Sequence, residues 1–510
     1  MIDTTASAIR DGDLLAAVDL GSNSFHLVVA RYEHGGLRLI DRLRDSVRLA
    51  MGLRPDGSLA ADRRERALAS LARFGQRLRA IPSGRVRAVA TNTVRRLAHP
   101  HAFLLPAETA LGHPIEIVSG REEARLIYLG VSHDLARSSQ RRLVVDIGGG
   151  STEFIIGQDY EALETESLQM GCIASSLRFF ADGHYTAARW RQAQTEIAVE
   201  MQQFAADYRA RGWGEAFGSS GTAKSIGNIV QANGWCEQGI SAVALGRLRD
   251  AILEAGHLDN LRLAGLAEER TAILAGGVAV MEAAFATFAL DHMGVCETSM
   301  REGLLYDLVG TAMHGDPRAG SIAALASRYA VDRAQAARVH HAALELAGQV
   351  AATWHLGSAE RDMLGWAADI HELGLAIAHS LHHVHGAYII ANSDLAGFSR
   401  QGQQALAAMV RSHRRKPDRA SIDALPERLR TPVRRLTALL RLAALLERAR
   451  TTEPLPPLQL EVDDRTLRLG LPAEWLDQHP LTRADLEQER DYFKLLDLKL
   501  QVRAMERIAA

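Results

Sequence analysis

The sequence predicts an α/β protein whose first 310 residues are followed by a helical region and a small α/β module. Apolar runs typical of strands alternate with helical patterns up to about residue 310. From residue 321 to residue 450 the pattern is helical, rich in Ala and Leu, and contains no convincing strand. After a proline-rich break at 453–457, apolar residues alternate over 458–462 and 467–471, which predicts a hairpin. The 510 residues have room for three or four domains.

The composition excludes several classes of protein. Hydrophobic residues make up 47% and charged residues 24%, which are ordinary globular values, so a mainly disordered or fibrous protein is excluded. The net charge of −2 gives no global field for binding nucleic acid. Three widely separated cysteines exclude a disulfide scaffold and a cysteine-based zinc site. They favour a reducing compartment, and we therefore expect a cytoplasmic protein.

Two stretches bear on secretion and membranes. Met1–Asp13 is polar and lacks the apolar core of a signal peptide. Ala272–Leu290 is 19 residues long with one charged residue, Glu282, which is long enough for a span. Its two adjacent glycines, many alanines and lack of a flanking basic cluster favour a buried helix of a large domain.

One strand–turn–strand pattern occurs twice. In the first copy, apolar runs at 15–20 and 25–30 flank the turn GSNS; in the second, the runs at 143–147 and 154–156 flank GGGST. Asp19 aligns with Asp146 at an offset of 127 residues. We interpret the pair as an internal repeat in two domains, although so short a match also arises by chance.

Turns of this kind have a chemical use. Glycine lets the backbone approach a phosphate, turn N–H groups point at its oxygens, and hydroxyls add donors. A carboxylate at the end of the preceding strand, Asp19 or Asp146, can hold a divalent cation directly or through water. One such turn is commonly only a turn, but two at matching register, with a third at 219–222, would grip a phosphate chain across a cleft. The candidate phosphate-binding residues are Gly21, Ser22, Asn23, Ser24, Gly148, Gly149, Gly150, Ser151, Thr152, Gly221 and Thr222.

A helix is predicted to begin after Ser119, following short strands at 85–90 and 115–118. Ser119 and Glu122 form an S-x-x-E capping box, which assigns Glu122 to the helix cap. Glu123 is not needed for the cap. Either the helix N-terminus merely favours its charge, or it is a base that orients or deprotonates a water for attack on phosphorus.

Other charged residues follow the predicted strands and turns. Arg95 and Arg96 come after a loop at 91–93, and one of them could clamp a phosphate bidentately. Glu153 follows the second turn and could complete a metal or water site with Asp146. Arg301, at the start of another predicted helix, could reach the cleft or lie on the surface.

The helical region has two further features. The density of histidines suggests a metal, but they do not share one helix face cleanly, which favours polar packing at a domain junction. These histidines are His371, His379, His382, His383 and His385. Residues 411–450 hold 12 basic and 4 acidic residues, a net charge of +8, which is either a solvated face or a groove for a polyanion.

Together these motifs resemble the exopolyphosphatase / guanosine pentaphosphate phosphohydrolase family. The segments that carry the resemblance are AVDLGSNSFH (17–26), ATNTVRR (90–96), SGREEARLIYLG (119–130), VVDIGGGSTEF (144–154), GSSGTAKSI (218–226) and REGLLYD (301–307). The resemblance implies the fold of actin, sugar kinases and heat-shock chaperone ATPases. In that fold two ribonuclease-H-like domains, here 1–135 and 136–312, enclose a cleft.

Residues 367–398 also resemble the long form of that family, in which the helical region is similar to the HD phosphohydrolase fold. We assign this domain to 313–452, after a linker near 311–320, and the small α/β module to 453–510. His371-Glu372 stands where an HD site has His-Asp, and Glu447 lies near the place of its final Asp.

The resemblance also implies roles for the residues. It implies that Glu123 is the general base and that Asp146 and Glu153 are ligands of magnesium or water. It also implies that Arg95 binds phosphate together with the turns at 21–24 and 148–152. We expect a magnesium-dependent enzyme that releases terminal orthophosphate processively from inorganic polyphosphate, because the +8 segment would hold the chain. The nearest alternative is conversion of guanosine pentaphosphate to tetraphosphate at the same site. A kinase and a nucleotide-binding regulator without turnover are remoter. We expect a homodimer, no nucleic-acid partner and no membrane span.

Overall fold

The computed structural model describes residues 9–33, 36–135, 138, 140–313, 317–451, 453–463 and 465–505. The chain divides into two compact units, residues 8–315 and residues 316–510. The predicted boundary residues 136 and 452, part of the predicted linker at 311–320 and residues 1–8 of the polar N-terminal stretch lie outside the described residues. The division into four domains stays a prediction.

The first sheet of residues 8–315 has five strands in the order β3-β2-β1-β4-β5. These strands are β1 (Leu14–Leu20), β2 (Phe25–Glu33), β3 (Gly36–Asp45), β4 (Val86–Ala90) and β5 (Ile115–Ile117). The first three are antiparallel, and β4 and β5 add in parallel. The helices of this part are α1 (Ala61–Leu78), α2 (Asn92–Arg95), α3 (Pro100–Leu111) and α4 (Gly120–Asp134), with 3-10 turns at Leu49–Gly52 and Ser83–Arg85.

The second sheet has six strands in the order β10-β11-β9-β6-β7-β8. Its strands are β6 (Arg142–Ile147), β7 (Thr152–Gln158), β8 (Glu161–Leu168), β9 (Glu215–Ser219), β10 (Ile240–Ser241) and β11 (His292–Val295). The helices are α5 (Cys172–Phe179), α6 (Ala187–Arg211), α7 (Ser220–Ala232), α8 (Ala242–Ala255), α9 (Thr271–Phe288) and α10 (Met300–Met313), with 3-10 turns at Leu258–Asn260 and Glu268–Arg270. Both predicted strand–turn–strand patterns are therefore confirmed, as β1–β2 and β6–β7.

The two sheets share one apolar core. Leu15 and Ala17 of the first sheet lie in the same buried cluster as Val144 and Ile155 of the second, together with side chains of α4 and α10. Because burying apolar surface is the main force that holds such layers together, this cluster fixes the first sheet relative to the second. The ends of β1 and β6 are thereby placed close to each other.

The apolar stretch at 272–290 forms α9. In the described part of the chain it is the one helix, taken over Glu268–Phe288, that is long and apolar enough to cross a membrane by length and composition. In that helix, 67% of the apolar window is buried inside the protein. This burial supports the predicted core helix.

The unit at 316–510 is helical and ends in a three-stranded sheet. Its helices are α11 (Pro317–Arg328), α12 (Arg333–Trp354), α13 (Ser358–Ile370), α14 (His382–Ala391), α15 (Arg400–Ser412), α16 (Arg419–Asp423), α17 (Glu427–Leu446), α18 (Ala473–Gln478) and α19 (Pro480–Lys494), with a 3-10 turn at Leu373–Ala376. The strands are β12 (Gln459–Asp463), β13 (Thr466–Pro472) and β14 (Lys499–Met505), in the order β12-β13-β14. The predicted hairpin is confirmed as β12–β13, and its apolar side chains share one core with the helices.

Two local predictions are wrong. The turn predicted at 219–222 is absent because β9 ends at Ser219 and α7 begins at Ser220. Ser220 makes this connection alone, with a left-handed φ of 74° and a hydroxyl that donates to the Ile147 carbonyl. The loop predicted at 91–93 is the start of α2, which takes up Asn92 and Thr93.

Candidate active site

The two glycine-bearing turns meet. A Cβ on Gly150 would lie 2.9 Å from Ser22 Oγ and 2.7 Å from Asn92 Oδ1, and one on Gly149 would lie 3.2 Å from Asn23 Cβ. Only glycine allows so close an approach of backbone to its neighbours. The turns border a cavity of about 340 Å³ between the two sheets.

Most of the residues predicted for the site line this cavity. They are Asp19, Gly21, Ser22, Asn23, Ser24, Glu123, Asp146, Gly148, Gly149, Gly150, Ser151, Glu153, Gly221, Thr222 and Arg301. The first sheet, the second sheet and the first turns of α4, α7 and α10 each contribute. A site assembled from so many elements holds its side chains in fixed positions.

Thr152 and Arg95 lie elsewhere than predicted. The Thr152 hydroxyl is fully buried and donates to the Met170 carbonyl. Arg95 Nη1 donates to the Val118 carbonyl at 2.7 Å and to Glu123 Oε2 at 2.9 Å. Neither side chain is among the residues that line the cavity, and protein acceptors take up the Thr152 hydroxyl and Arg95 Nη1. In the structure Arg95 is a hydrogen-bond partner of Glu123 and is not one of the residues that line the cavity.

Strand register places three residues of each repeat side by side. Across β1, β2 and β3, Asp19 pairs with His26 and His26 with Arg44. Across β6, β7 and β8, Asp146 pairs with Glu153 and Glu153 with Ser167. We call these the first row (Asp19, His26, Arg44) and the second row (Asp146, Glu153, Ser167).

Hydrogen bonds hold the second row. The Ser167 hydroxyl donates to Glu153 Oε1 at 2.8 Å, and the Ser299 hydroxyl donates to Asp146 Oδ2 at 3.0 Å. Ser299 immediately precedes α10, so the start of that helix positions the Asp146 carboxylate. By contrast, Asp19 Oδ1 in the first row is buried and has no hydrogen-bond partner.

Glu122 and Glu123 point to different environments. The Ser119 hydroxyl accepts from the Glu122 N–H at 3.1 Å, which is the predicted helix cap. The Glu122 carboxylate accepts two hydrogen bonds from Arg125 at 2.8 Å, and Arg125 also donates to Asp307 at 2.7 Å. Glu123 instead lines the cavity. Of the two neighbours, Glu122 is held in ion pairs, and Glu123 is the one whose carboxylate reaches the cavity.

Four carboxylates concentrate negative charge in the cavity. Burial, and then the charge of Glu123, raise the pKa of Asp19 to about 8. Burial also raises the pKa of Asp146, and it raises that of Glu123 against the opposing charge of Arg95. The pKa of Glu153 is raised well above its ordinary value by burial and by the charges of Glu123 and Asp146. Such mutual repulsion is relieved by a cation or by protonation.

Cations surround the His26 end of the first row. Burial, followed by the charges of Arg301, Arg44, Arg270 and Lys224, lowers the pKa of His26 to about 3. A neutral imidazole among positive charges marks a place suited to an anion. The basic side chains that line the cavity are Arg42, Arg44, Lys224, Arg270 and Arg301.

Sequence analysis missed several of these residues. His26 occupies the position of Glu153 at the 127-residue offset of the repeat, so the alignment of the two copies was a signal that could have found it. Lys224 lies within the segment GSSGTAKSI that the resemblance used. Arg42, Arg44 and Arg270 carry no signal in the sequence, since strand register and long-range packing bring them to the cavity.

The residues present fit a magnesium ion held partly by phosphate. Within the described ranges, no three His, Cys, Asp or Glu side chains form a group that could hold a metal ion by themselves. Magnesium at phosphate sites commonly takes one or two carboxylates and completes its shell with phosphate oxygens and water. The unpartnered Asp19 Oδ1 and the nearby Asp146 are donors of that kind.

The chain resembles known proteins over almost its whole length. Residues 28–312 match the Ppx/GppA phosphatase family, and residues 318–490 match domain III of the Ppx/GppA phosphatases. A guanosine-5'-triphosphate,3'-diphosphate pyrophosphatase of Aeromonas hydrophila is 38% identical over 485 residues, covering 94% of this chain and 97% of that protein.

Solved structures agree on the fold. An exopolyphosphatase from Cytophaga hutchinsonii superposes with a TM-score of 0.54 at 22% identity, covering 60% of this chain and 100% of its own. A Ppx/GppA family member from Aquifex aeolicus gives a TM-score of 0.50 at 22% identity, covering 59% and 99%. The predicted actin-like α/β fold with a helical C-terminal region is confirmed. The chain belongs to the Ppx/GppA phosphatase family.

Proposed function

We propose that the protein hydrolyses the terminal 5′-phosphoanhydride bond of guanosine pentaphosphate, giving guanosine tetraphosphate and orthophosphate. The observation that carries the chemistry is the Glu123 carboxylate, which lines a cavity bordered by two glycine turns and several cations. The name of the 38% identical relative supports the choice of substrate.

The charge of residues 411–450 no longer favours polyphosphate. The sequence-based preference for that substrate depended on a net charge of +8 in this segment. Five of its eleven arginines form ion pairs with five carboxylates that lie outside the segment, namely Asp332, Glu372, Asp485, Glu489 and Asp497. Since these pairs offset most of the excess charge, the segment does not present the long cationic track that a polyanion requires.

Hydrolysis proceeds by attack of water on the terminal phosphorus. Glu123 accepts a proton from the water while the water oxygen forms a bond to phosphorus. The bond from phosphorus to the bridging oxygen breaks, and that oxygen leaves with the guanosine tetraphosphate. Arg95 holds the Glu123 carboxylate at 2.9 Å, which fixes the direction of proton transfer.

The remaining residues position the substrate and stabilise charge. Turn N–H groups at 21–24 and 149–151 would donate to the phosphate oxygens, and Arg44, Arg270 and Arg301, which line the cavity, would neutralise the phosphate chain. Asp19 and Asp146 would hold magnesium, with Glu153 orienting water beside it. When bound, the ion neutralises charge on the phosphate oxygens and orients the terminal group.

A competition of substrates tests this proposal. Orthophosphate release by the full chain is measured with guanosine pentaphosphate, GTP and long-chain polyphosphate, singly and in competition, with magnesium and with a chelator. We expect kcat/KM for the pentaphosphate to exceed the others by at least about tenfold, and chelation to abolish release. The Glu123→Gln variant is the control for contaminating phosphatases.

Each alternative predicts its own result. Faster release from polyphosphate would overturn the choice of substrate but leave the hydrolase intact. Tight pentaphosphate binding without release would instead support a regulator, and transfer to an acceptor would support a kinase. The cytoplasmic location and the homodimer stay predictions.

A further inference from the structure

The unit at 316–510 contains a second cavity, of about 500 Å³, which the proposed function does not use. His371 and Glu372, the residues at the place of the HD motif, line it. Glu447 does not, and it pairs instead with Arg338 at 3.7 Å. As in the first unit, the described side chains include no group of three that could hold a metal ion.

The lining of this cavity is cationic instead. Five arginines line it, and three of them are neutralised within the cavity wall: Arg450 by Glu372, Arg448 by Asp485 and Arg441 by Glu489. Arg414 and Arg415 remain, and neither forms an ion pair with a carboxylate of the described residues. The polar contact of the Arg414 side chain is with His382 Nδ1, at 3.3 Å.

A buried arginine fixes the loop that carries these two cations. The Arg441 side chain is fully buried and donates to both oxygens of Glu489, at 2.7 and 2.8 Å. It also donates to the carbonyl of Ser412 and, at 2.7 Å, to that of Arg415. Arg415 has a left-handed φ of 56°, which a residue with a side chain adopts only when its surroundings enforce it. The loop is therefore organised before any ligand arrives.

Burial and the uncompensated positive charge lower the pKa values of neighbouring basic groups. Burial, followed by the charges of His382, Arg414, Arg415 and Arg411, lowers the pKa of His383 to about 4. The pKa of Arg414 itself is lowered by burial and by the charges of Arg448 and Arg415. A positive potential inside a polar cavity favours an anion over a metal cation.

We propose that this cavity is a second binding site, for an anion that carries two or more phosphoryl groups in a chain. Arginine is the side chain whose planar fork matches phosphate oxygens bidentately, and Arg414 and Arg415 offer two such forks. The cavity volume of about 500 Å³ lies within the range of small-molecule sites. The chain could be inorganic or belong to a nucleotide, since the phosphoryl groups are common to both.

The test uses the full chain in the Glu123→Gln background, so that the probes are not consumed. Inorganic tripolyphosphate and GTP are titrated separately by calorimetry, and hydrogen exchange is followed at 410–416. We expect two sites for at least one probe, with 410–416 protected. Adding R414Q and R415Q should weaken the second site by at least about 100-fold and remove the protection. Protection by tripolyphosphate indicates recognition of the phosphate chain alone, whereas protection by GTP only indicates a nucleotide.

The matched control removes two positive charges from the same segment outside the cavity, with K416Q and R419Q, and should retain both sites. R414K/R415K keeps the charge without the forks and should bind better than the glutamine pair. If neither probe protects 410–416 in the Glu123→Gln protein, or if R414Q/R415Q binds as many equivalents as K416Q/R419Q, the proposal is wrong. Neither result bears on turnover in the first cavity.

Discussion

The two strand–turn–strand repeats share one backbone design but differ in the charges that they carry. The first row reads Asp19, His26 and Arg44, and the second reads Asp146, Glu153 and Ser167. Burial leaves His26 neutral among four cations, whereas it leaves Glu153 with a raised pKa among carboxylates. The His26 and Arg44 end of the first row is therefore suited to phosphate, whereas the carboxylates of the two rows are suited to a cation.

This difference shows how duplication of a fold element can build a polar site. The repeat supplies two glycine turns that approach each other and two strand-end carboxylates. The neighbouring row positions then differ, with His26 and Arg44 in one copy and Glu153 and Ser167 in the other. We therefore expect the second row and Glu123 to govern kcat, and the cations around the first row to govern KM.

The largest expected effect is that of Glu123→Gln. Gln keeps the size of the side chain and its contact with Arg95 but cannot accept a proton. We expect kcat for phosphate release to fall by about 10²–10⁴, with KM changed by less than about threefold. Steady-state kinetics on the preferred substrate measures both. A variant with near-normal kcat would show that the base lies elsewhere.

Glu122→Gln is the control variant at the neighbouring position, and we expect it to lower the stability of the fold rather than kcat. Glu122 is buried between Arg125 and Arg87, at 2.8 and 4.0 Å, and its loss would leave Arg125 with Asp307 and Arg87 with Asp307 and Glu116. Breaking a buried pair of this kind costs about 3–5 kcal/mol. Thermal unfolding should show a lower Tm, while kcat of the folded enzyme stays within about threefold. Equal losses of kcat in both variants would contradict the expectation that Glu123 alone of the two acts as the base.

Sequence reasoning found the parts of the site that local chemistry encodes. The aspartate-ended strands, the glycine turns and the capped helix with Glu123 are each determined by a few consecutive residues. It did not find Arg44 or Arg270, because strand register and the packing of α9 bring them to the cavity. It placed Thr152 and Arg95 among the phosphate-binding residues because a pattern does not reveal that the Thr152 hydroxyl donates to Met170 and that Arg95 Nη1 donates to Glu123.

The next largest effect is expected for Arg270→Gln, which removes one of the basic side chains that line the cavity. Arg270 lines the cavity, and its guanidinium lies against Gly221, where an added Cβ would be 1.9 Å from Arg270 Nη2. Arg270→Gln should raise KM by about 10–100-fold, the loss of one charge-assisted hydrogen bond, and change kcat by less than about threefold. Arg247→Gln, an exposed arginine on α8, is the control. A fall in kcat without a change in KM would contradict the separation of the two sides.

Asp19→Asn should change how stability depends on pH. The folded pKa of Asp19, about 8, lies above its ordinary value of 3.8. Its protonated form therefore contributes stability that is fully present below pH 4 and is lost as the pH rises through 8. Without ligand, the variant should have the higher Tm at pH 8.5, by at least about 2–4 °C, the shift that 1 kcal/mol produces. The difference should disappear near pH 4. An exposed control, Asp250→Asn, should follow the wild type at both pH values.

Arg95→Gln should produce the smallest change at the plateau of the pH–rate profile. The charge and hydrogen bond of Arg95 lower the pKa of Glu123 against burial, so their removal raises that pKa. A base must be deprotonated to act, and the acidic limb of kcat should therefore move to higher pH. Arg96→Gln removes the neighbouring charge without touching Glu123 and should leave the limb in place. If the limb of Arg95→Gln also stays in place while KM rises, Arg95 contacts the phosphate rather than acting through Glu123.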